Sequence, residues 1–241
     1  MTQRCRHPGG WKFTGVTFGE IVVNNLVVLS TVQNYDSCST FVIWLLNLRE
    51  ALVHLRTSIH QILPLDGQEW DDFADIWQVF EARRKVILTA EGDTEKYVYF
   101  VLEGVQRAYA VDNDGREATL VFTYPYSFSG VADSFLLQQP SRYFFETLTP
   151  SLFLRATFRQ LDETMLKHHA VERMIRLALS HTLAGVLTRQ IELQSFSAEQ
   201  RFRALMQRSP HILHLVPHKY LASYLGMDAT NFSKFLGNIR L

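Results

Sequence analysis

The sequence feature that most constrains the fold is a change of hydrophobic period in the middle of the chain. Six short segments rich in Val, Tyr, Phe and Thr lie at 85–89, 97–102, 105–111, 117–123, 142–148 and 152–156. Turn-forming residues separate them, most clearly Asp112-Asn113-Asp114-Gly115, because Asn, Asp and Gly accept the positive φ of a tight hairpin. Several short strands at this spacing predict a small antiparallel barrel or roll.

Helical periodicity lies on both sides of these strands. Apolar residues recur every three or four positions in 48–63, and 69–80 places its aromatic residues on one face, so we predict two helices there. After the strands, 158–194 predicts one long helix with an apolar stripe formed by Val171, Ile175, Ala178, Leu179, Leu183, Val186, Leu187 and Ile191. The stripe is wide enough to pack on the roll and on a second copy of itself. Burial within a monomer is the alternative.

The most specific pattern lies near the C-terminus. Residues 218–235 predict a helix, a tight turn and a second helix, preceded by a further helix at 198–207. Ala222 is small where two helices cross closely, Gly226 permits a left-handed turn, and Asp228 caps the second helix. The residues that we expect to be buried are Leu221, Leu225, Met227, Phe232 and Phe235. The pattern is typical of a helix-turn-helix, and a helical hairpin without a ligand is the alternative.

The charge distribution sets this C-terminal region apart. The 24 basic and 24 acidic side chains give a net charge of zero, yet residues 195–241 carry six Lys or Arg against two acidic residues. Such a basic segment suits contact with a polyanion. In a helix-turn-helix, the start of the second helix enters the major groove. We therefore expect base or phosphate contacts from Thr230, Asn231, Ser233 and Lys234, and phosphate contacts from Lys219, Tyr220, Asn238 and Arg240.

With a β-roll, a long helix and a helix-turn-helix in this order, residues 48–241 resemble the Crp/Fnr family of bacterial transcription regulators. Residues 85–122 are similar to the cyclic nucleotide-binding domain of that family, and the Leu-Ala-Ser-Tyr-Leu-Gly run at 221–226 is similar to its DNA-binding end. The resemblance implies an α+β fold: an antiparallel β-roll, a long dimerisation helix and a C-terminal winged-helix or helix-turn-helix domain. It also implies a homodimer joined through 159–194, a two-fold double-stranded DNA operator and contact with RNA polymerase.

The ligand cassette departs from the family pattern. Nucleotide binders of the family carry a Gly-Glu pair for the ribose and an Arg for the cyclic phosphate. Here Val131 stands at the Glu position and Pro140 at the Arg position. Arg142 lies on the same face two residues later, where it either replaces that Arg or is exposed. The tentative ligand residues are Gly130, Val131, Ala132, Ser141, Arg142 and Tyr143. We expect no cAMP binding in the usual mode, but another effector or none.

We divide the chain into an unassigned segment 1–47, the roll 48–158, the long helix 159–194 and the DNA-binding part 195–241. Residues 1–47 match nothing in the family, apart from an expected strand at 21–29. They are either an appendage or upstream sequence translated from a start codon placed too early, and we favour the second explanation. We expect little room for a further wing beyond the second helix.

Other classes of protein find little support. Cys5 and Cys38 are too few for a disulfide framework, a zinc ribbon or a four-cysteine cluster. No apolar run reaches the length of a membrane helix and no signal peptide is evident, so we expect a cytoplasmic protein. His211, His214 and His218 lie close together, but the prolines at 210 and 217 interrupt the helix that would align them as metal ligands.

No nucleophile elbow, P-loop or His-Glu-x-x-His motif is present in the sequence, and we expect no enzyme. Two alternatives to a regulator stay open. One is a ligand-binding module whose C-terminal helices contact protein. The other is a small enzyme on a β-roll, which requires a convergent cluster of polar residues.

Overall fold

A computed structural model describes residues 22–23, 26–27 and 35–238, with side chains described for 48–237. The contacts divide the chain into two units, with the boundary between Ile43 and Trp44. In the first unit, β1 pairs with β2 as an antiparallel hairpin of two-residue strands. The strand expected at 21–29 is therefore a short hairpin where it is described. The origin of residues 1–47 concerns positions that lie mostly outside the described part.

In the described residues, the order along the chain is two strands, two helices, six strands, one helix, two strands and six helices. The described helices are α1 Tyr35–His60, α2 Gln68–Asp75, α3 Ala132–Leu137, α4 Phe158–Lys167, α5 His169–Ser195, α6 Ala198–Arg208, α7 Ile212–Leu215, α8 His218–Tyr224 and α9 Ala229–Asn238. The described strands are β1 Val22–Val23, β2 Leu26–Val27, β3 Gln78–Ala82, β4 Ile87–Thr89, β5 Tyr97–Glu103, β6 Gln106–Val111, β7 Glu117–Thr123, β8 Phe128–Ser129, β9 Phe144–Thr147 and β10 Ser151–Thr157.

The described strands of the second unit form two four-stranded sheets, in the orders β3-β10-β5-β8 and β4-β9-β6-β7. All pairs are antiparallel, which confirms the predicted roll. Aromatic side chains fill one end of its interior. The ring of Tyr99 lies 5.3 Å from that of Phe153 and 5.8 Å from that of Phe145, centroid to centroid. The predicted hairpin at 112–115 joins β6 to β7.

Three helix predictions need correction. The helix predicted at 69–80 ends at Asp75, and Gln78–Ala82 is a strand paired with β10. Aromatic residues at 69–80 suit either structure, and the stack of Phe80 on Phe153, 6.2 Å between centroids, belongs to the strand. The helix predicted from residue 48 already begins at Tyr35, because the unbroken apolar run at 41–46 hides the helical period.

The third correction concerns the helix predicted at 158–194. It is divided into α4 and α5, because His168 between them has extended backbone angles. The Nε2 atom of His168 lies 2.6 Å from a carboxylate oxygen of Asp72 on α2, and Lys167 pairs with the same oxygen. The hydrogen bonds from Lys167 and His168 hold the pKa of Asp72 well below its usual range. Asp72 therefore anchors the end of α4 on α2.

Buried apolar residues connect the roll with the C-terminal helices. Val105, Phe122 and Leu148 of the roll belong to the same buried cluster as Phe202 of α6 and Leu221 of α8. The C-terminal helices therefore share a core with the roll. Among the helices that the structure describes, none combines the length and apolar character needed to cross a bilayer.

Candidate nucleic-acid interface and ligand cassette

The helix-turn-helix consists of α8, a turn at 225–228 and α9. Gly226 has φ +61°, a left-handed conformation that glycine adopts without steric cost. Ala222 is 2% exposed where the helices cross. The Asp228 carboxylate accepts the backbone N–H of Asn231 at 2.8 Å and caps α9. Leu221, Leu225 and Phe232 are buried as predicted, whereas Met227 and Phe235 are half-buried.

The first turns of α9 present exposed polar side chains. Thr230, Asn231, Ser233 and Lys234 are all exposed. The side chain of Asn231 donates to Asp228 at 2.6 Å, and the Ser233 hydroxyl donates to the backbone oxygen of the residue four positions earlier at 2.9 Å. Within the described residues, Thr230 and Lys234 have neither a side-chain hydrogen bond nor an ion pair. The α9 surface therefore offers short polar groups and an ammonium to a ligand.

Three of the predicted phosphate contacts need separate treatment. Tyr220 is 5% exposed, and its hydroxyl accepts a hydrogen bond from Lys85 of the roll at 2.6 Å. It faces the roll, so we no longer count it among the phosphate contacts. Asn238 ends α9, but its side chain is not described, and Arg240 lies outside the described residues. Lys219 is exposed on α8.

Charged contacts hold the helix-turn-helix on α5. Glu192 is 4% exposed and makes a two-pronged ion pair with Arg208 of α6. The Arg189 guanidinium lies 4.0 Å from the ring centroid of Tyr224 on α8. Arg201 donates to the carbonyl oxygen of Gly226 at 3.2 Å. These contacts fix α6 and the α8–α9 turn against the long helix.

A second set of contacts holds the helix-turn-helix on the roll. Arg107 of β6 is 2% exposed and lies between the rings of Tyr109 and Tyr220, 3.9 Å and 3.8 Å from their centroids. Its guanidinium donates to Glu146 at 2.6 Å and to Glu117 at 2.5 Å. Burial raises the pKa of Tyr220, but the hydrogen bonds from Lys85 and Lys219 and the charge of Arg107 outweigh this effect, and the pKa lies below its usual value.

Sequence reasoning missed Arg107 and Glu146 as partners. Both lie within strand segments, where a charged residue is expected to face solvent. Their pairing depends on the register of β6 against β9, which sets Arg107 opposite Glu146. An internal charge inside an otherwise apolar strand was the available signal. The partner could not be identified without the register.

The cassette residues lie at the start of α3 and in the loop between α3 and β9. Gly130 has φ +114°, and Val131 is buried at the start of α3. Ser141 is buried, and its hydroxyl bonds to the backbone N–H and C=O of Tyr143. Ala132 is exposed, and so is Arg142, which lies 3.1 Å from the Tyr143 hydroxyl and forms a surface ion pair. The Arg142 side chain is thus exposed at the surface of the roll.

The buried carboxylate of Glu95 accepts hydrogen bonds from polar groups at and near the start of α3. Glu95 is 1% exposed, and its carboxylate accepts the Thr89 hydroxyl at 2.6 Å and the Val131 N–H at 3.3 Å. It also accepts the backbone N–H groups of Lys96 and Tyr97. Burial raises the pKa of Glu95, and these hydrogen bonds offset part of that rise.

These contacts bear on the expectation that the cassette does not bind a cyclic nucleotide in the usual mode. An anionic phosphate at the start of α3 would meet the carboxylate of Glu95, which already takes the Val131 N–H. The apolar Val131 offers no acceptor to a ribose hydroxyl, and Arg142 is engaged at the surface with Asp133. Repulsion between an anion and a buried carboxylate is strong in a low-dielectric site.

The outer face of α5 is apolar and open. Leu183, Val186, Leu187 and Ile191 are between 54% and 59% exposed in the single chain. They recur every three to four residues and so share one side of the helix. A contiguous apolar stripe of this kind marks an interaction surface. By contrast, Val171 at the start of the predicted stripe is buried against the roll.

Comparison with known proteins supports the resemblance at the level of the fold. Residues 79–168 match the family described as the cyclic nucleotide-binding domain. Among curated proteins, no sequence matches the chain. The structure is similar to FixK2 from Bradyrhizobium japonicum, with a TM-score of 0.62 and 18% identity, covering 67% of this chain and 83% of that one.

Two further solved structures have the same arrangement. One is the c-di-GMP responsive global regulator CLP from Xanthomonas campestris, with a TM-score of 0.54 and 17% identity over 71% of this chain and 90% of that one. The other is a transcriptional regulator of the Crp/Fnr family from Eubacterium rectale, with a TM-score of 0.57 and 14% identity over 72% and 82%. The chain thus has the fold of Crp/Fnr-type regulators, as the sequence predicted.

Proposed function

We propose that the protein is a sequence-specific DNA-binding transcription regulator of the Crp/Fnr type. The observation that carries the proposal is the exposed polar surface of α9 on a capped helix-turn-helix. Its first turns present Thr230, Asn231, Ser233 and Lys234, groups that reach base edges or phosphates in a major groove. The basic excess of residues 195–241 adds the attraction to a polyanion.

The proposal includes a homodimer joined through the long helix. The open apolar stripe of α5 would pack against its copy across a two-fold axis. Such a dimer would place two copies of α9 on the same side, and a two-fold operator would match them at a spacing of about one helical turn, roughly 34–36 Å. We keep 48–158, 159–194 and 195–241 as the proposed roll, dimerisation helix and DNA-binding part. The proposal places the dimer in the cytoplasm, with RNA polymerase as a partner.

In this proposal the roll does not bind cAMP in the usual mode. The internal carboxylate of Glu95 and the apolar Val131 support this part of the proposal. DNA binding would then depend on another effector or on none. Lys219 and Lys234 supply the described cations of the interface, while Asn238 and Arg240 stay candidates at the end of the chain.

Selection from a library of random DNA duplexes, without cyclic nucleotide, tests the proposal. We expect enrichment of a palindrome with half-sites about 10–10.5 base pairs apart, centre to centre. The matched control is the chain with Thr230, Asn231 and Lys234 changed to Ala, which leaves the buried residues of α9 intact. Failure of the folded wild-type protein to enrich any site would reject the regulator and favour a module that contacts protein.

A further inference from the structure

A buried contact between the roll and the helix-turn-helix is centred on Arg107. Its two carboxylate partners, Glu146 and Glu117, belong to strands of the roll. One of its two aromatic neighbours, Tyr109, also belongs to the roll, but the other is Tyr220 of α8. Movement of α8 away from the roll would uncover one face of a guanidinium that is now 2% exposed.

Further contacts around Arg107 involve the same helix. Lys85 of the roll donates to the Tyr220 hydroxyl, and its ammonium lies 4.8 Å from the centroid of that ring. The Ser223 hydroxyl accepts the N–H of Thr119 and donates to the carbonyl oxygen of Glu117, each at 3.0 Å. The helix α8 is thus bonded along β7, at the edge of the sheet, by groups that have fixed directions.

We propose that Arg107 is a positioning residue for DNA binding, which acts through Tyr220 to set the orientation of α8 and α9 relative to the roll. This inference rests on the proposed function. Arg107 itself is buried and touches no DNA. Its effect is to hold the helix-turn-helix in one arrangement while the polar residues of α9 stay exposed.

Orientation matters for a two-fold site more than for a half-site. Two recognition helices must enter grooves on the same side of the duplex at a set separation. If the helix-turn-helix is free to turn on the α5–α6 connection, part of the binding free energy is spent on ordering it. A half-site requires no such separation. Arg107 is therefore expected to affect the preference for half-site spacing, which a residue that only stabilises the roll would not change.

The chain offers a matched control in Arg155 of β10. Its guanidinium also lies between two aromatic rings, 4.0 Å from the centroid of Phe80 and 4.3 Å from that of Tyr97. Both rings belong to the roll. Arg155→Gln therefore removes a similar cation from between two rings without touching α8.

The experiment compares wild type, Arg107→Gln, Tyr220→Ala and Arg155→Gln on three duplexes. These are the selected two-fold operator, the same operator with two base pairs added between the half-sites, and a single half-site. We expect Arg107→Gln and Tyr220→Ala to bind the operator roughly tenfold more weakly and to lose the preference for the natural spacing. Half-site binding should stay within about twofold of wild type for all three variants, and Arg155→Gln should keep the spacing preference.

If both Arg107→Gln and Tyr220→Ala keep the preference for the natural spacing, the inference is overturned. If Arg107→Gln does not fold, Tyr220→Ala decides alone, because Tyr220 lies outside the roll. Tyr220→Phe keeps the ring over Arg107 and should restore most of the spacing preference. A wild-type protein that selects no DNA would instead reject the proposed function itself. The two failures are therefore distinguishable.

Discussion

The cassette end of the roll and the recognition helix use their polar groups in opposite ways. At the cassette, the Val131 N–H, the Thr89 hydroxyl and the backbone N–H groups of Lys96 and Tyr97 all donate to the buried carboxylate of Glu95. On α9, Thr230 and Lys234 are exposed, and neither has a side-chain partner in the part of the chain that the structure describes.

This difference indicates which end of the fold has groups available to bind another molecule. Buried polar groups in proteins are normally satisfied, and in the cassette the chain satisfies its own. Polar groups directed at an external ligand stay accessible until the ligand arrives. The open apolar stripe of α5 belongs with α9 in this respect, since it is also exposed in the single chain. The C-terminal helices thus expose groups that can bind a partner, whereas the polar groups of the cassette bind one another.

The largest expected effect concerns the outward apolar stripe. The double substitution of Leu183 and Leu187 by Glu should prevent the proposed dimer, because each leucine buried in it would contribute roughly 1.5–3 kcal/mol and the dimer would contain two copies of each. Sedimentation velocity at micromolar concentration should show a monomer. Leu166→Glu changes a leucine on α4 that is even more exposed and should leave the proposed dimer intact. Persistence of the dimer in the double variant would show that α5 is not the interface.

The next effect concerns the inward carboxylate. Glu95→Ala should lower the free energy of unfolding by roughly 3–5 kcal/mol, since it leaves several buried donors without an acceptor. Urea unfolding monitored by Trp fluorescence measures the loss. Glu91→Ala, on the exposed loop just before Glu95, is the control and should change stability little. A similar small loss for both variants would mean that Glu95 does not hold the cassette.

A smaller effect is expected on the recognition helix. Lys234→Ala should weaken operator binding by about 1–3 kcal/mol, because α9 loses its exposed ammonium. Gel-shift titration against the selected site measures the loss, with unfolding midpoints as a check on folding. Lys96→Ala changes an exposed lysine of the roll near the cassette and should leave affinity unchanged. An equal affinity for wild type and Lys234→Ala would remove Lys234 from the interface.

The smallest effect is a dependence of stability on pH at Glu95. Because burial raises the pKa of this carboxyl in the folded state, folding favours its protonated form. Its contribution is therefore most favourable below the unfolded pKa of about 4.3 and declines as the pH rises towards the folded pKa. As the pH rises from the unfolded towards the folded pKa of Glu95, the free energy of unfolding of wild type should fall relative to that of Glu95→Gln. A constant difference in midpoint between the two proteins would contradict the raised pKa.

Local patterns predicted the described fold well where they were confined to one element. The turn residues at 112–115, the glycine at 226 and the cap at Asp228 act through their own backbone, and each lies where the sequence placed it. Strand β3 was missed because its side chains suit a helix equally well. Its identity depends on pairing with β10, which is distant in sequence.

The same reason limited the prediction of the sites. The recognition helix could be listed residue by residue, since its exposed face follows from helical spacing alone. The role of Tyr220 could not, because the direction of its side chain depends on how α8 packs against the roll. Likewise, Glu95 carries no local signal for its contact with Val131, which is 36 positions away.

The most direct test of the account is the affinity for the selected operator with and without cAMP, measured by fluorescence anisotropy at several salt concentrations. We expect a steep fall of affinity with salt, with a slope of roughly −0.9 per phosphate neutralised, and the same affinity within about twofold when millimolar cAMP is present. An increase in operator affinity of about tenfold or more with cAMP would contradict the proposal that the roll does not bind cAMP in the usual mode. If the folded protein does not prefer the operator over unrelated DNA at any of the salt concentrations, the role assigned to α9 is contradicted.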